Sequence, residues 1–206
     1  MSFEIWLTFT FASIVVTLIP GPSVLLVISQ ALTKGTSAAM ACIAGDLFGT
    51  VILILLSLLG VGALLAASAV LFQIVKWGGV FYLAYLGYRQ ILDARNESYV
   101  TTEEQQILSS WQSFWAGSIT AILNPKAIIF YMAFLAQFID PTTDIVVQMV
   151  ILTTTSTIVV AVLLAGYALL AVRAGATFRS RSARQRIGYT GGSIMIGGSA
   201  LMAATR

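Results

Sequence analysis

Two ionisable residues, Asp46 and Lys126, stand inside otherwise apolar stretches of this chain, and two of those stretches are interrupted by proline, at Pro20-Gly21-Pro22 and at Asn124-Pro125-Lys126. An ionised side chain at the centre of a membrane helix costs about 2.5–3.5 kcal/mol on insertion scales, so such residues face a cavity, pair with each other or carry protons. Pairing alone would make Asp46 and Lys126 an ion pair that locks helices together. The reading that uses both charges is sharper. Asp46 exchanges a proton or binds a substrate ammonium group, while Lys126 and nearby helix ends hold a carboxylate. Together they match a zwitterionic amino acid.

Pro22 and Pro125 each follow a residue that caps helices well, Gly21 and Asn124, and proline in the first helical position is a start signal. Residues 22–33 and 125–139 are therefore predicted as second half-helices that begin inside the membrane. Each N-terminus offers unpaired N–H groups and roughly half a positive charge, which suits a carboxylate or another anion. The bland alternative is a proline that merely kinks a packed helix, which membrane spans tolerate. Two matched, capped breaks favour a site. The expected substrate-binding residues are Pro20, Gly21, Pro22, Asn124, Pro125 and Lys126, with Asp46 as the proton-coupling or ammonium-binding group.

The elements that must position these residues follow from composition. With 58% hydrophobic and 9% charged residues and a mean hydropathy of +0.93, the chain belongs in lipid. Windows of about 20 apolar residues predict six spans, near residues 5–33, 38–66, 70–92, 111–139, 145–172 and 186–204. The runs are continuous rather than alternating, which favours a helical bundle over a β-barrel. Residues 93–110 read as a cytoplasmic connecting loop, so residues 1–206 form a single transmembrane domain. Superimposing Pro22 on Pro125 pairs Gly21 with Asn124 and divides the chain into repeats at 1–92 and 111–206. Three spans per repeat is an odd number, so the second copy enters the bilayer from the opposite side. The expected fold is an all-α membrane protein of six transmembrane helices in two inverted three-helix repeats, with helices 1 and 4 broken near the bilayer midplane.

A net charge of +3 could suggest nucleic acid, but the distribution argues otherwise. Lys34, Arg89, Arg95, Arg173, Arg179, Arg181, Arg184 and Arg186 fall in loops on one side of the predicted topology, against Lys76 and Arg206 on the other. The positive-inside rule then places both termini on the non-cytoplasmic side of the membrane. The first span begins at Glu4 rather than a basic cluster and is too long for a signal peptide, so it is expected to be retained. With no histidine and a single cysteine, Cys42, no His-based metal site, Ser/His dyad or dithiol carrier can be built. Neither an enzyme nor a cofactor is expected.

Other residues carry weaker signals. Ala41, Gly45 and Gly49 recur at every fourth position, as do Gly188 and Gly192, a pattern that lets membrane helices pack closely. The run Thr153-Thr154-Thr155-Ser156-Thr157 could line a polar path, although such hydroxyls more often bond back to their own helix. Trp6, Trp77, Tyr82, Trp111 and Trp115 fall near span ends and read as interfacial anchors.

PGPSVLLVISQALTKG (residues 20–35), Gly45-Asp46, GGVFYLAYLGYRQI (residues 78–91) and GSITAILNPKAIIF (residues 117–130) resemble signatures of the LysE/RhtB family of bacterial amino-acid exporters. The likeness covers nearly the whole chain. It implies a multi-pass exporter in the bacterial inner membrane that moves amino acids or their derivatives out of the cell as a proton-driven antiporter, and it allows a homodimer. Its expected partners are an amino-acid substrate, protons and membrane lipids, with no nucleic acid. Ala136, in FLAQFI, stands where the family often has proline. Two other classes remain in view at this point. A passive amino-acid or small-solute channel would need a continuous polar lining, and a non-transporting scaffold would use Asp46 and Lys126 only as a structural pair.

Overall fold

A computed structural model describes residues 1–58, 69–95, 103–140, 142–176 and 181–204, and every regular element among them is helical. Helix α1 (Phe3–Leu18) opens at Ser2, whose hydroxyl accepts the Ile5 N–H at 3.3 Å. It ends at Ile19, extended with φ −68° and ψ 117°, as a residue before proline prefers. Gly21 is likewise extended and caps α2 (Pro22–Thr33), with Pro22 in its first turn. The two segments bend by 55°. The first predicted break is therefore present.

A left-handed Gly35, φ +85°, turns the chain from α2 into α3 (Thr36–Leu58). Only glycine takes that conformation without steric cost. Gly35→Ala is expected to cost about 1 kcal/mol, read as a lower melting temperature in detergent, even though nothing lies within 4 Å of the added methyl. Helices α4 (Ala69–Arg95) and α5 (Glu103–Ile122) follow. The predicted loop over 93–110 was too long: helix reaches Arg95 and resumes at Glu103. The polar run EEQQILSS (residues 103–110) consists mostly of good helix formers, which a hydropathy window does not register. Residues 59–66 of the second expected span, residues 96–102 of the loop, Arg179 and Arg206 lie outside the described residues.

The second break is also present. Asn124 is extended ahead of Pro125, and its side-chain oxygen accepts the Lys126 N–H at 3.1 Å. The half-helix expected over 125–139 is less regular than predicted. It consists of one α turn, α6 (Pro125–Ile128), a π-helical segment (Ile129–Phe134), and a 3-10 segment (Leu135–Phe138) that contains Ala136. Within the widened segment the Ser57 hydroxyl donates to the Tyr131 carbonyl at 2.6 Å. An outside donor on a helical carbonyl is one of the intrusions that distort a helix. Helices α7 (Ile145–Ala176) and α8 (Arg181–Ala204) complete the order.

Thr36–Ser57 and Ile145–Ala174 are each long and apolar enough to cross a membrane, and the bent pair Phe3–Leu18 with Pro22–Thr33 makes a third when counted as one span. Polarity runs inward. Phe3, Leu7, Phe11, Val15 and Leu18 form an exposed apolar stripe on α1, while Ser13, Asp46, Thr50, Asn124 and Ser156 are buried. An apolar exterior around a polar interior is what lipid demands.

Helix α3 packs along α5, and α4 along α8. Gly45, Gly49 and Gly192 of the repeated small residues sit at close helix contacts, as expected, and the surroundings of Gly188 lie outside the described residues. A Cβ on Gly45 would run into the Phe114 carbonyl, one on Gly117 into the Cys42 carbonyl, and one on Gly192 would lie 2.6 Å from the Gly87 carbonyl oxygen. Two apolar clusters result, one around Val24, Leu83, Leu164 and Met195, the other around Phe9, Leu53, Phe130 and Leu152. The threonine-rich run divides its duties. Thr157 bonds back to the Thr153 carbonyl, whereas Thr155 accepts the Trp6 indole N–H and Ser156 shares a 2.6 Å hydrogen bond with the Tyr131 hydroxyl. After the 3-10 segment, the buried Gln148 side chain accepts the Asp140 N–H and donates to the Asp140 carbonyl. Hydrogen bonds from the Thr142 N–H and hydroxyl hold the exposed Asp140 carboxyl below the usual carboxylate range.

Candidate functional site

The two breaks meet at one cavity of about 40 Å³, where residues of both apolar clusters face each other. Ser23 and Val24 come from the first turn of α2, Asp46 and Thr50 from α3, and Asn124, Lys126 and Ala127 from the second break. Val16 and Thr17 contribute from the end of α1, and Phe130, Tyr131, Val160 and Leu164 form the apolar flank. Proline sets this geometry locally: it stops α1 and α5 and restarts a helix within two or three residues, so a first turn begins inside the packed core.

Asp46 is 3% exposed. Ser23 hydrogen-bonds its carboxylate, but Oδ1 has no partner among the described residues. A buried acceptor left unmatched costs about 1–3 kcal/mol. Lys126 does not relieve it by direct contact. Its ammonium donates instead to the Val16 carbonyl at 2.7 Å and the Ile19 carbonyl at 2.6 Å, both at the end of α1. The Asp46–Lys126 contact pair that the sequence allowed is therefore not formed; the two charges face one cavity from different walls. The Asn124 amide donates to the Ser23 hydroxyl at 3.3 Å and so links the two breaks.

Of the residues expected from sequence, Asp46, Asn124 and Lys126 line the cavity, whereas Pro20, Gly21, Pro22 and Pro125 shape the backbone without lining it. The two helix starts are not equivalent. Gly21 gives α2 no side-chain cap, while Asn124 caps its own turn. Thr17, Ser23, Thr50 and Tyr131 also line the cavity and were not among the expected residues. Thr50 was within reach, being one helical turn beyond Asp46 and so on the same face. Tyr131 carried no such signal, since it depends on the π segment.

The sequence profile of the LysE type translocator matches residues 14–205. The chain belongs to this family. LysE type translocators are transporters, so this one is a membrane transport protein and not an enzyme. Over 206 residues, the whole of both chains, the translocator is 32% identical to an uncharacterized membrane protein of Vibrio cholerae. It is 32% identical over 206 residues to a homoserine/homoserine lactone efflux protein of Salmonella typhimurium, covering 100% of this chain and 99% of that one. A leucine efflux protein of Salmonella typhimurium is 36% identical over 135 residues, covering 66% of this chain and 63% of that one. No solved structure matches it.

Proposed function

We propose that this translocator exports amino acids or their derivatives from the bacterial cytoplasm across the inner membrane by proton-coupled antiport. The observation that carries the reading is the Asp46 carboxylate, buried with Oδ1 unpartnered in a cavity that also holds Lys126. A negative and a positive group facing one small space suit the ammonium and carboxylate of a zwitterion. The efflux names of the relatives agree with that chemistry. In this reading the carboxylate meets the uncapped first turn of α2, the Asn124 amide and Lys126, while the ammonium meets Asp46.

The chain would cross the membrane six times as two inverted repeats, with both termini outside the cytoplasm and the cluster of basic loops inside. A cavity of about 40 Å³ holds little more than water and is far below the roughly 300 Å³ at which small-molecule pockets begin. Loading therefore requires the walls at the breaks to part, as alternating access does when one repeat rocks against the other. Substrate enters from the cytoplasm, protonation of Asp46 from outside displaces the ammonium, and deprotonation to the inside resets the site. A passive channel is disfavoured because Val24, Phe130, Val160 and Leu164 make one flank of the cavity apolar, against the polar lining that a pore needs.

Cells overproducing the protein should tolerate toxic amino acids or analogues from one chemical group, with intracellular pools of those compounds several-fold lower than in control cells. Unchanged pools across neutral, basic and lactone-forming members would overturn the export assignment. Proteoliposomes test the coupling separately: substrate-driven movement of protons is expected, and saturable substrate flux without it would remove the antiport step.

A further inference from the structure

We propose that the broken end of α1 is a monovalent-cation site whose resident cation is the Lys126 ammonium. A helix that stops inside a protein leaves its last carbonyls without partners and presents the negative end of its dipole. Here the Val15 carbonyl is satisfied locally by the Ile19 N–H. The Val16 and Ile19 carbonyls both accept from Lys126 Nζ, at 2.7 and 2.6 Å, and the Leu18 carbonyl accepts the Tyr167 hydroxyl at 2.9 Å. The unwound end of a helix in the first half of the chain is thus closed by two side chains from the second half.

Two further features mark the place as built for a cation. A Cβ on Gly21 would lie 3.3 Å from Lys126 Nζ and 3.4 Å from its Cε, so glycine at the break keeps room for the ammonium to cross. Asp46, whose buried Oδ1 has no partner among the described residues, lines the cavity that Lys126 also lines, adding a negative charge to the carbonyl dipoles. Unwound carbonyls at half-helix ends, with an acid nearby, are the donor set with which transporters hold sodium. This chain fills the position with a tethered ammonium. An ammonium has three N–H donors, and two go to the carbonyls, so the third remains for a substrate carboxylate. The transport consequence, that the wild-type protein works without sodium, rests on the export reading; the cation site does not.

The test uses purified full-length Lys126→Ala in detergent, melted in chloride salts of methylammonium, sodium and tetramethylammonium at equal ionic strength. Methylammonium or sodium is expected to raise the melting temperature of the variant by about 3–6 °C over tetramethylammonium, while the wild type melts alike in all three. Equal melting of the variant in all three salts, or an equal response from the wild type, would overturn the site. Should Lys126→Ala fail to accumulate in membranes, Lys126→Arg and Lys126→Gln decide: a charge requirement predicts accumulation of the arginine variant alone, and equal behaviour of the two refutes it. Melting is read without transport. A wild-type protein that exports nothing therefore defeats the export reading and leaves the cation site standing, whereas normal export with no cation response defeats only the site.

Discussion

Asp46→Asn is expected to abolish uphill export while leaving the protein inserted and at least as stable as the wild type. The stability half follows from burial. Asp46 is 3% exposed and its Oδ1 has no partner among the described residues, while the Lys126 ammonium is occupied by two backbone carbonyls. The native protein therefore carries a cost of about 1–3 kcal/mol for an unmatched buried acceptor. Asparagine keeps the shape and an acceptor for Ser23 while removing the charge. The melting temperature should hold or rise by a few degrees, the trade expected where a strained polar group serves function. The transport half follows from charge. Truncating one partner of a desolvated charge pair, here Asp46 and the substrate ammonium, costs about 2–5 kcal/mol, and 1.4 kcal/mol is tenfold, so flux against a gradient should fall by about 30-fold or more. Flux and melting must be measured on one preparation. Undiminished flux would remove Asp46 from the mechanism, and lost flux accompanied by a large fall in melting temperature would make it a structural residue.

The breaks were legible because their signals are local. A residue before proline turns away from helix, and proline restarts one, so Ile19-Pro20 and Asn124-Pro125 announce their geometry within two residues. Asp46 was legible for the opposite reason: it is a lone acid in an apolar run, and its cost implies a cavity. What Lys126 touches was not. The Val16 and Ile19 carbonyls lie over a hundred residues away in sequence and have no side-chain identity, so no residue type points to them. For the same reason Tyr167 drew no notice, although its hydroxyl closes the Leu18 carbonyl. The helix beginning at Glu103 was hidden by its polarity, because hydropathy reports burial in lipid and says little about helix propensity. The π segment at Ile129–Phe134 needs a tertiary donor, Ser57, that periodicity cannot supply.

Gly45→Ala and Gly117→Ala are expected to be the most destabilising single-methyl changes in the described chain, each costing about 3 kcal/mol or more. Overpacking usually costs about 1–3 kcal/mol because flexible side chains give way; here the obstacle is backbone. The new Cβ at position 45 meets the Phe114 carbonyl, and that at position 117 meets the Cys42 carbonyl, so α3 and α5 would have to separate along their whole contact. Separation would also reach function, since α3 carries Asp46 and α5 leads directly into the Asn124 break. Export should fail in both variants even in molecules that remain folded. Gly166→Ala and Gly197→Ala are the controls. Nothing lies within 4 Å of either added methyl, and alanine in place of a helical glycine should stabilise by up to about 1 kcal/mol. Melting of the four variants in one detergent tests the contrast. A Gly45→Ala protein that melts within about 2 °C of the wild type would mean that α3 and α5 do not meet at backbone distance, and the placement of Asp46 beside the breaks would lose its structural support.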